Sequence, residues 1–548
     1  MKRLLLLLLL VPFLASAAPF AEWIDVPVPG GGTVAIWGEG DEYDAYFETR
    51  DGHALRVNGA AGRYEYVTLD ERTKAYVGTG VFLGDEAGNE ALLASIPLHL
   101  RDESEAHAAA VQAKIDALEE ELHIRKNWEE VRAATERRRE LEALMEAGEY
   151  DGPLPTSVTV GSIVGVTLLV DFPVTNGAGQ VTGTLFAKSS PLVTPDVVKA
   201  WFNQEEVFSG GGYSVRKFYA ISSGGQLDYT NVVVGPVCVP HPREYYDKSN
   251  TSCGTCGRNM IRDALSVLVA SPDYQSVWLP LIRRATTGYS GGGAKAFNVI
   301  FAGPTASTWD YGLWAHKSSV SSSDILKWTN DQGYSCYFST YNIVPANNSA
   351  NPSTTLHHEN GHMICGFPDL YHYSNKTYGV GNVSMMCHHT WCDVDPYLRE
   401  GAGWYTPKTL PESGWVTVTT DRDDVYRFTN ASRSSERFYI QNRSNTGLDR
   451  GLSYRGILIF RAYAGRSNTT AAQLSSYNSG HASTNRYNNE LSLEQADGKY
   501  DLERRTGWGS SVEANDYWFD GNTAPLYADV FDNDSAACSA GTTAPPPA

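Results

Sequence analysis

The arrangement of apolar and polar positions changes along the chain. From residue 19 to about residue 100, short runs rich in β-branched and aromatic residues alternate with breaks rich in Gly and Asp, as at 33–37 and 64–68. This pattern predicts short strands joined by turns. From Asp102 to about Ala147, Ala, Glu, Arg and Leu dominate and neither Gly nor Pro occurs. That composition predicts one long helix or a helical hairpin.

Apolar residues at helical spacing in this segment predict a stripe that packs on a neighbouring element. The stripe consists of Leu118, Leu122, Trp128, Val131, Leu141 and Leu144. Gly148 and the run Gly-Pro-Leu-Pro at 152–155 end the segment and mark a domain boundary.

Beyond that boundary, near-continuous apolar runs at 162–171 and 297–302 predict buried central strands. Between them, 197–202 and 214–219 have helical patterns. Strands that alternate with helices predict an α/β or α+β domain. After Trp415 the pattern is again typical of strands, as in 437–440 and 456–460.

The N-terminus has a short basic region, seven leucines and a small-residue site near Ala17 or Ala18. This predicts a secretory signal peptide over 1–18 and an extracellular protein. We find no second apolar run long enough to span a bilayer, so we expect no transmembrane anchor. The 548 residues carry a net charge of −19. Such acidity argues against nucleic acid as a partner, and its carboxylates could hold a structural Ca²⁺ ion.

Eight cysteines follow the signal region, an even number that favours disulfides in an exported chain. Cys253 and Cys256 are three residues apart, the spacing of a metal or redox pair. No second pair at zinc-ribbon spacing accompanies them, so a local disulfide is the better prediction.

The segment 356–371 contains His358-Glu359-Asn360-Gly361-His362. On a helix, residues at i and i+4 project from one face, so the two imidazoles can bind one Zn²⁺ ion. Glu359 can then act on the water at the metal as general base. Gly366 can end the helix, because glycine tolerates positive φ. Asp369 falls where the extended zinc motif carries its third ligand.

Three neighbours of the motif remain as alternatives or additions. His357 could shift the register, but its i to i+5 spacing from His362 does not align on a helix. Met386, preceded by Met385, lies at a distance suited to a methionine turn beneath a metal. His388 and His389 could stabilise an oxyanion or replace Asp369, although a surface role is favoured.

Residues 358–371, the run 379–386 and Gly403-Trp404-Tyr-Thr-Pro407 resemble the immune inhibitor A family of metalloproteases, within the metzincins. Looser similarity extends to Leu168-Leu-Val-Asp-Phe-Pro173 and to the propeptide-like residues 40–52. The chain departs from the family at Val383, where many relatives have Trp.

The resemblance implies a metzincin-like α/β (α+β) zinc metalloprotease domain with an N-terminal propeptide and a β-rich C-terminal region. The expected boundaries are a signal peptide at 1–18, a propeptide at 19–155, a catalytic domain at 156–412, a β-rich part at 413–538 and a disordered tail at 539–548.

The expected function is that of a monomeric, secreted endopeptidase, made as a zymogen, that uses one catalytic Zn²⁺ ion to cleave proteins and peptides. No cysteine precedes Cys238, so latency has to use another ligand or steric cover. Two alternatives stay open. One is a catalytically silent protein that keeps the fold for binding or adhesion, which has no chemical need for Glu359. The other is a zinc hydrolase of a non-peptide substrate.

Overall fold

The computed structural model describes residues 20–518 apart from gaps at 30, 41–43, 123, 153–158, 177–179, 189–192, 209–210, 249–250, 286–291, 295, 305–311, 324, 331–332, 347–352, 374–376, 388–390, 430, 432–434, 470–488, 497–501 and 503–511. The expected signal peptide, the expected tail and Cys538 therefore lie outside the described residues. The chain divides into two compact units, Met1–Phe367 and Pro368–Ala548.

The first unit opens with six strands that form one antiparallel sheet in chain order. They are β1 (Phe20–Pro27), β2 (Thr33–Gly40), β3 (Ala45–Glu48), β4 (Ala54–Asn58), β5 (Arg63–Leu69) and β6 (Tyr76–Phe82), followed by the short helix α1 (Glu90–Leu93). Ile36, Phe47 and Leu55 are buried on one face, where they pack in a cluster with Cys253 and Trp314. The prediction of short strands and turns over this region is confirmed.

Two helices follow, α2 (Glu105–Leu122) and α3 (Ile124–Glu146), where the composition predicted a long helix or a hairpin. Trp128, Val131 and Leu141 are buried, as expected of the apolar stripe. Leu144 is 37% exposed, so its place in the stripe was wrong. It lies in the last turn of α3, where the next residue, Met145, is also exposed. The side chains of Leu118 and Leu122 lie outside the described residues.

A five-stranded sheet forms the centre of the first unit, in the order β10-β7-β12-β16-β13. Its strands are β7 (Gly161–Asp171), β10 (Leu227–Cys238), β12 (Phe297–Ala302), β13 (His316–Ser319) and β16 (Thr340–Ala346). Four strands run parallel and β13 pairs antiparallel at one edge. All six residues of β12 are buried. The apolar runs at 162–171 and 297–302 are therefore buried strands, as predicted.

Helices α5 (Pro195–Asn203) and α6 (Val215–Ser222) occupy the two segments with helical patterns. Each begins at a hydroxyl cap, because the side chains of Thr194 and Ser214 accept backbone N–H groups of their first turns. The other elements of this unit are β8 (Pro173–Thr175), β9 (Val181–Thr184), α4 (Leu185–Lys188), α7 (Arg243–Tyr246), α8 (Cys253–Ala270), α9 (Leu279–Arg283), β11 (Gly292–Ala294), β14 (Trp328–Thr329), β15 (Ser335–Phe338) and α10 (Ser353–Asn360).

The second unit contains the helix α11 (Pro396–Gly401) and a five-stranded sheet in chain order. Its strands are β17 (Lys408–Thr409), β18 (Val425–Thr429), β19 (Glu436–Arg443), β20 (Gly456–Tyr463) and β21 (Leu491–Leu493). The runs at 437–440 and 456–460 lie within β19 and β20, as predicted. The molecule is thus a mixed α/β protein of the α+β kind. None of its described helices combines the length and apolar character needed to cross a bilayer.

Within the described ranges no disulfide joins Cys253 to Cys256, so the prediction of a local disulfide between them was wrong. Both lie in the first turns of α8, but their environments differ. Cys253 packs in the cluster beneath the N-terminal sheet, whereas the Cys256 thiol donates to the Thr251 carbonyl at 3.7 Å. Burial also raises the pKa of Cys256, which keeps that sulfur in its less reactive thiol form.

Candidate metal centre

The segment that carries the zinc motif is a helix that changes its winding within the motif. The α-helix α10 ends at Asn360, and a π-helical turn continues from Gly361 to Cys365. Gly366 then adopts a left-handed conformation with φ 69°, which glycine reaches without a Cβ clash. The chain leaves the helix there, as expected from the sequence. The π turn was not predicted, although such turns are frequent at functional sites.

His358, His362 and Asp369 come together at this helix end. One ligand atom from each lies within 4.8 Å of the other two. All three side chains are buried, with exposures of 2%, 5% and 2%. The Nε2 atoms of the two histidines are 3.1 Å apart, and their rings are nearly perpendicular at 89°. Within the described ranges, no second group of three His, Cys, Asp or Glu residues gathers in this way.

The hydrogen bonding of His362 determines which ring nitrogen faces the cluster. Its Nδ1 lies 2.6 Å from the carbonyl oxygen of Phe367, which can only accept. The Nδ1 atom therefore carries the proton, and Nε2 presents its lone pair towards the Nε2 atom of His358. This is the usual arrangement for a metal-binding histidine, in which a carbonyl fixes the tautomer through the other nitrogen.

The donor set fits a zinc ion. Two imidazole nitrogens and one carboxylate are ligands of catalytic zinc sites, with Zn–N distances of about 2.0–2.1 Å. Nitrogens 3.1 Å apart can both reach one ion at those distances. At this separation the two rings can share either one proton, as a hydrogen bond between the nitrogens, or one metal ion.

Tyr373 is a further residue of the site that the sequence analysis missed. Its hydroxyl donates to Oδ2 of Asp369 at 2.6 Å, and the Tyr373 side chain is 2% exposed. The backbone N–H of Leu370, which follows Asp369, donates to the carbonyl of Met386 at 2.9 Å. Tyr373 follows Asp369 by four residues, in the run Tyr-His-Tyr at 371–373. This closeness in sequence to Asp369 was the signal that could have identified Tyr373 as part of the site.

The structure distinguishes His357, which neighbours the motif, from the residues of the metal group. The ring of His357 stacks on Phe218 with centroids 4.1 Å apart, and it is not in the metal group. This agrees with the preference for His358. Glu359, between His358 and Asn360 in the motif, is 2% exposed. His388 and His389 lie outside the described residues, so their roles stay predictions.

Met386 is fully buried and lies within a tight turn, in which the N–H of Cys387 donates to the carbonyl of Ser384 at 3.0 Å. The Ser384 hydroxyl donates to Oδ2 of Asp395 at 2.8 Å. Asp395 also caps α11 by accepting the N–H of Leu398. Burial raises the pKa of Asp395 to about 6. The turn is thus tied to the start of a helix, which gives Met386 a defined position in the second unit.

No protein-family model matches the chain, and no curated protein is significantly similar to it.

Proposed function

We propose that this chain is a secreted zinc metalloendopeptidase of the metzincin type, made as a zymogen. The observation that carries the proposal is the buried group of His358, His362 and Asp369, with the two Nε2 atoms 3.1 Å apart. The neighbouring Glu359 supports an enzyme over a silent scaffold, because a scaffold has no chemical need for a buried carboxylate beside a metal ligand. The apolar N-terminus with its small-residue cleavage site supports secretion.

The residues of the site divide the work between them. His358 and His362 would hold the ion through Nε2, and Asp369 through its carboxylate. The Phe367 carbonyl holds the His362 tautomer, and the Tyr373 hydroxyl orients Asp369. When bound there, zinc supplies a Lewis acid that polarises the scissile carbonyl and acidifies the attacking water. Glu359 accepts the proton of that water and delivers it to the leaving amine nitrogen.

Residues 19–155 are, in this proposal, an inhibitory propeptide. Its helix α3 places Trp128 edge-on against Phe367, with ring centroids 5.7 Å apart. Phe367 is the residue whose carbonyl receives the His362 N–H. The N-terminal segment therefore reaches the end of the metal-binding helix through an apolar contact. Steric cover of this kind needs no cysteine ligand, in keeping with the absence of cysteine before Cys238.

The test compares the secreted, matured chain with its Glu359→Gln variant in casein cleavage and in bound zinc. We expect one zinc per chain in both, and a loss of about 10²–10⁴ in kcat/KM for the variant, the usual effect of removing a general base. His358→Ala should lose both zinc and activity. A matured wild-type chain that holds zinc but cleaves no peptide would move the non-peptide hydrolase and the scaffold ahead of this proposal.

A further inference from the structure

Behind the metal-binding helix, the central sheet carries buried polar side chains where apolar ones are the rule. Tyr229, Asn298 and Asn360 are fully buried, from β10, β12 and the last position of α10. Asn231 and Thr167 lie beside them on β10 and β7. The register explains their proximity, because Asn298 pairs directly with Thr167, and Asn231 with Gly165.

Three of these residues form a closed polar cycle. The Asn360 amide Nδ2 donates to Oδ1 of Asn298 at 3.0 Å. The Asn298 amide donates to the Tyr229 hydroxyl oxygen at 3.0 Å. The Tyr229 hydroxyl donates to Oδ1 of Asn360 at 2.9 Å, which closes the cycle. Every bond runs in the same direction, so the orientation of both amides is determined by the set.

The surroundings hold the polar cycle in place. Burial raises the pKa of Tyr229, so its hydroxyl keeps the proton that it donates. Gly165 leaves room for it, because a Cβ there would come within 2.6 Å of Oδ1 of Asn231 and 2.8 Å of the Tyr229 hydroxyl. The amide of Asn298 also donates to Oδ1 of Asn231 at 3.0 Å, and the Thr167 hydroxyl reaches the same oxygen at 3.2 Å.

Stability alone does not explain this arrangement. Asn is a poor helix former, and burying an amide costs free energy that its hydrogen bonds only offset. Apolar residues at 229, 298 and 360 together would pack against one another without either cost. The polar cycle instead fixes the rotation of α10 about its axis, because hydrogen bonds define that rotation more narrowly than apolar contacts do.

The position of Asn360 links the rotation of α10 to the metal centre. It lies two residues after His358 and two before His362. Two residues turn a helix by about 200°, so a side chain at 360 points away from the face that carries the histidines. Asn360 also donates to the Leu356 carbonyl at 2.8 Å, within its own helix. The polar cycle therefore holds the back of the helix whose front presents the zinc ligands.

We propose that Tyr229, Asn298 and Asn360 are positioning residues, which fix the rotation of α10 so that His358 and His362 meet one metal ion. The inference rests on the proposed function, since it concerns the same metal centre. None of the three touches the ligand atoms. They act through the helix, so their loss changes metal affinity and ligand geometry while leaving the donor set complete.

The experiment uses the full chain with Tyr229→Phe and Asn360→Leu, and Thr167→Val as the matched control. Thr167→Val also removes one buried hydrogen bond from this patch, but it lies outside the polar cycle. Zinc affinity is measured by competition with a chromophoric chelator, and ligand geometry by the visible spectrum of the cobalt-substituted protein. We expect Tyr229→Phe and Asn360→Leu to weaken zinc binding about tenfold and to alter the cobalt spectrum, as for other residues that orient metal ligands. Thr167→Val should keep both.

The outcomes separate this inference from the proposed function. Folded Tyr229→Phe protein with the zinc affinity and cobalt spectrum of wild type overturns the positioning role, even if wild type is an active peptidase. Tyr229→Phe decides alone if Asn360→Leu does not fold, because it removes only one oxygen. A wild-type chain that binds zinc but cleaves no peptide refutes the peptidase proposal, while the zinc affinities of the variants still test the positioning role. A wild-type chain that binds no zinc overturns both.

Discussion

Replacing Tyr373 by Phe tests whether Asp369 is held as a metal ligand. The change removes a single oxygen, whose hydrogen bond to Oδ2 of Asp369 is 2.6 Å long and buried. A hydrogen bond to a charged group contributes roughly 1.5–3 kcal/mol. Loss of a residue that orients a metal ligand weakens metal binding about 10–100-fold, which equals roughly 1.4–2.7 kcal/mol. The two ranges overlap, so we expect a zinc affinity lower by at least tenfold.

The assay is competition for zinc against a chromophoric chelator at neutral pH, with the unfolding midpoint of the chelated protein as a check on folding. Tyr371→Phe is the matched control. Its ring packs edge-on against Tyr373, with centroids 5.4 Å apart, and it is equally buried. The control should retain wild-type zinc affinity. If Tyr373→Phe binds zinc as tightly as wild type, or if Tyr371→Phe loses as much, the hydrogen bond to Asp369 does not orient a ligand.

Two further perturbations test other parts of the structure. Burial lowers the pKa of His316 to about 4. As the pH falls from 6.5 to 4, this imidazole binds a proton in the unfolded chain but largely not in the folded chain. The free energy of unfolding should therefore drop by roughly 3 kcal/mol more in wild type than in His316→Gln. Urea unfolding of both proteins in chelator at pH 7 and pH 4 measures this, and parallel losses would refute it. Trp128→Ala should raise the casein-cleaving activity of the uncleaved precursor, because truncating a buried Trp costs about 3–5 kcal/mol of docking. Leu144→Ala, at an exposed position of the same helix, should not, and equal activities would show that α3 does not cover the site.

The elements and the metal group were predictable because their signals are local. The apolar runs at 162–171 and 297–302, the helical composition of 102–147 and the caps of α5 and α6 each depend on neighbouring residues. The histidine spacing and Gly366 likewise fall within nine residues of continuous chain. Local spacing could not show that α10 continues as a π turn, because that depends on how the helix packs. It also could not show the thiol state of Cys253 and Cys256, whose environments are set by different parts of the fold.

The polar cycle could not be predicted from the sequence of this chain. Asn360 occupies a variable position of the zinc motif and has the appearance of a solvent-facing residue. Asn298 interrupts an otherwise apolar strand, and Tyr229 lies in a stretch of β10 where polar and apolar residues alternate. Their meaning depends on the sheet order β10-β7-β12 and on the packing of α10 against that sheet, which bring together residues up to 131 positions apart. A motif specifies which atoms can bind a metal, but not the rotation of the helix that aims them. In this chain the second requirement falls to buried amides and a phenol on the far side of the helix, so substitutions there should impair the metal centre without touching it.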